Sequence, residues 1–148
     1  MTQASVGPNA AQIPSIRSAI KFFRVTSYIT GVVLLLVMIL WGVRRGLGYE
    51  LMAFTGQGFI TLEPFTTGLD GEITGLPAGL SLTTAILIVH GWLYVAYLFG
   101  DFRLWTLLRW SFFRFLLIAA GGVVPFLSFF TERHYAKVAK ADLAKVAE

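Results

Sequence analysis

Cysteine is absent from the chain. That excludes disulfides, thiolate metal sites, iron–sulfur clusters and a cysteine nucleophile. Charge is scarce as well: 14% of residues are Asp, Glu, Lys or Arg, against about 25% in an ordinary soluble domain. Histidine occurs only at His90 and His134. No second His and no acid shares an apolar run with His90, so neither a metal centre nor a bis-imidazole haem is expected, and no cofactor. A Gly-rich phosphate loop and a dense Lys/Arg run are both missing, so nucleic acid is not an expected partner. Nor is there a Ser/His/Asp set or a pair of intramembrane carboxylates, and the expectation is a protein that is not an enzyme.

What the chain has in excess is apolar length. Hydrophobic residues make up 56% of it and its mean hydropathy is +0.72. They gather in three blocks, each long enough to cross a hydrocarbon core of about 30 Å as a helix. The predicted spans are 22–43, 81–99 and 110–130. The fold class that follows is an all-α membrane protein: a bundle of three transmembrane helices with a long first extramembrane loop and a C-terminal surface helix. Residues 1–14 read as a disordered tail, 15–133 as the membrane domain, 44–80 as its loop, and 134–148 as a polar C-terminal tail. Ser15 is the expected N-cap of the first helix, and Pro125 is expected to kink the third.

The loop is glycine-rich and carries Glu50, Glu63, Asp70 and Glu72. Residues 58–63 and 72–75 flank a turn sequence and predict a small β-hairpin. Three spans place the two termini on opposite sides. Basic residues then divide evenly between the sides, and the three that precede the first span favour the N-terminus inside and the C-terminus outside. The net charge of +4 suits helix ends at an anionic lipid surface.

An ionisable side chain at membrane depth is costly and is a functional candidate by default, which singles out His90. Thr83, His90, Tyr94, Tyr97 and Asp101 follow at steps of 7, 4, 3 and 4 and therefore share one helical face. Lipid cannot satisfy them, so this face should point into protein. It serves either to lock helices by hydrogen bonds or to relay protons. Arg24, Arg109 and Arg114 belong to one membrane side and are candidates for anionic headgroup or ligand contacts, with Asp101 expected to pair with Arg24 or Arg114. Gly31, Gly91, Gly121 and Gly122, with Pro125, are candidate helix-packing positions, because small residues permit close backbone approach.

The order Arg24-Val-x-x-Tyr-x-x-Gly31, then Val89-His90-Gly91-x-x-Tyr94-x-x-Tyr97, then Val124-Pro125 and Glu132-Arg133 resembles a small, largely actinobacterial integral-membrane family. That family is marked by a His-Gly dipeptide in a span and is of unknown function. The resemblance covers residues 15–133 and implies a plasma-membrane bundle of about three helices. It supplies no activity. Relatives often carry an acid where this chain has Thr30, and the loop here is longer than usual. Three functional readings follow: a non-enzymatic accessory or scaffold subunit of a larger membrane complex, a small oligomeric transporter, channel or proton relay using the His90 face, and a lipid- or quinone-binding protein. The partners expected are membrane lipids and other membrane proteins or copies of the chain itself.

Overall fold

The computed structural model describes residues 10–75, 78–124 and 126–147. Residues 1–9 of the expected tail and the expected kink at Pro125 lie outside the described residues. The chain divides into two compact units, one of residues 33–91 and one of residues up to 32 together with 92–148.

Two helices are long and apolar enough to cross a bilayer. Helix α1 (Ile13–Leu47) has 35 residues, a length of about 52 Å. Helix α2 (Leu82–Leu108) has 27 residues, about 40 Å. Their most apolar windows have mean hydropathies of 2.1 and 1.7, and most of each window is exposed. The core helix of a soluble protein would instead bury most of that window.

The burial of these helices is inverted relative to a soluble fold. On α1 the polar Thr26, Ser27 and Thr30 are buried, whereas Val25, Ile29, Val32, Leu36 and Ile39 are exposed. On α2 Thr83, His90, Tyr97 and Asp101 are buried, whereas Leu87, Ile88, Val89, Trp92, Val95 and Phe99 are exposed. Exposed apolar residues in such density mark a surface made to meet something other than water.

Helix α1 begins well before residue 22. Ile16, Ala19, Ile20 and Phe23 fall at i, i+3, i+4 and i+7 and are buried in the main apolar cluster, which extends the helix through its basic start. Ser15 therefore lies inside α1 rather than at its cap.

The third span is corrected. The apolar stretch 110–130 is not one helix: α3 (Phe112–Gly121) stops after 10 residues, and α4 (Leu127–Ala147) starts after a turn in which Phe126 takes φ 68°. At about 15 Å, α3 covers half of a hydrocarbon core. Helix α4 then runs antiparallel to the start of α1. Tyr28 meets Phe129 with ring centroids 6.1 Å apart, Arg24 meets Glu132 at 2.7 Å, and Arg17 and Lys21 line one cavity with Lys140 and Leu143. The two ends of the described chain thus lie at the same end of this unit, not on opposite sides.

No boundary separates a membrane domain from a tail at residue 133, because α4 is continuous there. Ala136 and Ala139 are buried. Their small side chains let α4 lie close against its neighbours while Lys137 and Lys140 beside them are exposed. Trp110 Nε1 donates to Asp142 Oδ2 at 3.1 Å, holding the last turns of α4.

The all-α expectation is corrected too. In the unit of residues 33–91, β1 (Tyr49–Thr55) pairs antiparallel with β2 (Gly58–Pro64) across a two-residue turn, and with β5 (Leu80–Ser81) on its other edge. A second ladder joins β3 (Thr66–Thr67) to β4 (Ile73–Gly75). The expected strand at 58–63 is present, but its partner is β1 rather than 72–75.

Candidate functional site

The five residues placed on one face of α2 are among those this helix turns inward, with Gly100, Leu104 and Leu108: Thr83, His90, Tyr97 and Asp101 are buried and Tyr94 is half-buried. Two of them have a definite task. A helix end leaves its last carbonyls without intrahelical donors. Away from water each unsatisfied group costs several kcal/mol, so a buried helix end persists only when protein satisfies it. The α3 terminus is such an end. Tyr97 Oη donates to the Ile118 carbonyl at 2.5 Å, and Tyr94 Oη donates to the Ala119 carbonyl at 3.1 Å. Backbone N–H groups of Gly122, Val123 and Val124 reach the Ala119 and Ala120 carbonyls. The tyrosine pair therefore caps the half-length helix.

Gly122 makes this approach possible. A Cβ there would stand 2.6 Å from Tyr94 Cε2 and 2.9 Å from Tyr97 Cδ1. A Cβ on Gly121 would collide with the Thr131 side chain of α4. Gly31 is buried, whereas Gly91 is exposed and a Cβ on it would meet nothing within 4 Å. Gly91 therefore makes no close packing contact within the chain.

Asp101 is wholly buried, and neither carboxylate oxygen has a hydrogen-bond partner among the described residues. The expected pairing with Arg24 or Arg114 is not formed. Arg24 Nε donates to Glu132 Oε1 at 2.7 Å, and the Arg114 guanidinium lies 4.9 Å from the centroid of the Trp110 ring. Arg109 is exposed at the end of α2 with φ 51°. The described contacts of these three arginines do not join them into one site. Glu132 lies 108 residues after Arg24 in the chain. The turn after α3 carries it back to Arg24, where it is 2% exposed.

Arg24 also borders a groove that spacing alone does not reveal, because one wall comes from α4. Arg17, Lys21 and Arg24 of α1 and Lys140 of α4 face a cavity of about 650 Å³ whose other walls are Ile20, Val25, Ile29, Tyr28 and Leu143. No acid lines it.

In the unit of residues 33–91, Glu50 is fully buried between two partners. Ser81 Oγ donates to its Oε1 at 2.7 Å, and Arg44 Nε stands 3.3 Å from its Oε2. This clasp ties the last turn of α1 to β1 and to the strand that leads into α2. The sheet residues opposite Glu50 and Met52 are apolar and outward. Tyr49, Leu51 and Ala53 share a face with Leu62, Ile60 and Leu80 by their register, and Tyr49, Ile60, Leu62 and Leu80 are exposed. At the turn, Phe54 and Phe59 are exposed with ring centroids 4.8 Å apart.

The sequence profile of a domain of unknown function, DUF3817, matches residues 20–137. The chain belongs to the DUF3817 family. The matched stretch runs from the first buried turns of α1 to the middle of α4, so the DUF3817 region takes in the capped half-helix, the Arg24–Glu132 pair and the sheet. No curated protein and no solved structure matches the chain.

Proposed function

We propose that this DUF3817 protein is a multi-pass plasma-membrane protein that works as a non-enzymatic accessory subunit. Membrane placement is supported by the inverted burial of α1 and α2. The observation that carries the subunit reading is the apolar outer face of the β1–β2–β5 sheet. Tyr49, Ile60, Leu62 and Leu80 are between 41% and 56% exposed on one sheet face. A soluble surface seldom leaves such a patch uncovered unless a partner takes it.

The paired chain ends favour one orientation. Every Lys and Arg except Arg44 and Arg45 lies in the unit that holds both ends. The even division of basic residues expected from three spans becomes a strong asymmetry. By the positive-inside rule the ends of this unit face the cytoplasm.

The test is the mass of the gently solubilised native particle and the identity of every chain in it. The expected result is a heteromer that loses its partner when Ile60 and Leu62 are both replaced by Asn. A lone monomer, or a homo-oligomer unchanged by that pair of substitutions, refutes the reading. Transport through the α2 face is less favoured, because the Tyr94 and Tyr97 hydroxyl protons are already donated to α3 carbonyls.

A further inference from the structure

We infer that the groove between α1 and α4 is a preformed binding site for one anionic phospholipid of the leaflet on the side of the chain ends. The inference is independent of the accessory-subunit reading. Three observations meet here. The first is charge: four cations, Arg17, Lys21, Arg24 and Lys140, line one cavity with no acid among its walls. Like charges held together repel one another, and an anion among them relieves that repulsion. Glu132 offsets Arg24 from outside this lining, which leaves the repulsion among Arg17, Lys21 and Lys140.

The second is order along the helix. Arg17, Lys21, Arg24, Val25, Tyr28 and Ile29 follow at helical spacing on one face of α1, so charge gives way to apolar surface over about 18 Å. That is the order of a phospholipid, with its phosphate at the aqueous end and its acyl chain toward the hydrocarbon. A free phosphate would use only the first half of the groove, and a neutral lipid only the second. The third is size. A volume of about 650 Å³ is typical of sites that enclose a small ligand or part of a larger one. Basic pockets between helices on the cytoplasmic side of a membrane are the usual way proteins hold anionic headgroups. Here the phosphate lies among Arg17, Lys21 and Lys140, and the acyl chain lies along Val25 and Ile29.

The experiment uses the full chain in nanodiscs of phosphatidylcholine with a minor fraction of phosphatidylglycerol. Native mass spectrometry after detergent release counts the phosphatidylglycerol molecules retained per chain. The expected result is one retained lipid. Retention should fall about tenfold or more in the combined variant Arg17→Gln, Lys21→Gln, Lys140→Gln. It should fall similarly in Ile29→Trp, which fills the apolar half and leaves every charge in place. Arg109→Gln, outside the groove, should retain the lipid. Each variant is compared only as a monodisperse particle with the parent's helix content. Ile29→Trp gives a single-site check if the triple variant misfolds. Equal loss in Arg109→Gln and the triple variant would show mere attraction to a basic surface and overturn the site. So would full retention in Ile29→Trp, or loss of bound lipid to free inorganic phosphate alone.

Discussion

Replacing Arg24 by Met should destabilise the chain and should do so through Glu132. Glu132 is 2% exposed and its Oε1 lies 2.7 Å from Arg24 Nε, whereas Arg24 itself is 44% exposed. Removing one partner of a fully buried pair costs about 3–5 kcal/mol. Water around Arg24 screens part of this interaction, and about 1–3 kcal/mol remains for stranding the Glu132 carboxylate. Glu132→Gln removes the charge but keeps an acceptor, and should cost less, about 1 kcal/mol. Once Gln stands at 132, Arg24→Met should cost clearly less than it does alone. The two substitutions then couple by about 1 kcal/mol or more. The assay is thermal unfolding of the detergent-solubilised chain and its three variants, followed by helix signal, where 1 kcal/mol moves the midpoint by about 2–4 °C for a chain of this size. Had α3 and α4 formed one continuous span, residues 24 and 132 would lie near opposite faces of the bilayer and the cycle would close with no coupling. Additivity within about 0.5 kcal/mol would refute the return of α4 alongside α1.

Three further outcomes follow from the same geometry. Gly122→Ala should lower stability by about 1–3 kcal/mol because its Cβ would press on Tyr94 and Tyr97, whereas Gly91→Ala should be neutral or stabilising by up to about 1 kcal/mol; equal thermal shifts would refute the close approach. Tyr97→Phe should cost about 1 kcal/mol or more by leaving the Ile118 carbonyl without its donor, read as a lower unfolding midpoint with unchanged particle mass. Because the chain has no cysteine, a single substitution reports topology directly: Ala141→Cys should react with an impermeant maleimide only after lysis, and reaction on intact cells would overturn the orientation.

Both long helices were legible because apolar length and helical spacing speak for themselves, and so was the inward face of α2. The β2 strand was legible from its alternation between glycines. Its partner was not, because the β1 sequence Tyr-Glu-Leu-Met-Ala-Phe-Thr is rich in residues that serve helices equally well. The third span was misread for a physical reason. Counting apolar residues registers how much hydrocarbon a segment could cross, and not that Gly121 and Gly122 let it turn back. That one misreading separated Glu132 and all of α4 from the start of α1. It also hid the lipid groove, whose Lys140 and Leu143 look like part of a solvated tail. The buried Thr26, Ser27 and Thr30 carried the same signal on α1 that Thr83, His90 and Asp101 carried on α2: short polar side chains at helical spacing inside an apolar run.

The short α3 also sets an order of assembly. A helix of 10 residues that carries Arg114 is too brief to cross a bilayer alone, and its Ile118 and Ala119 carbonyls take their side-chain donors from α2. The end of α3 can therefore settle only once Tyr94 and Tyr97 are in place. During synthesis the last quarter of the chain is the part that waits.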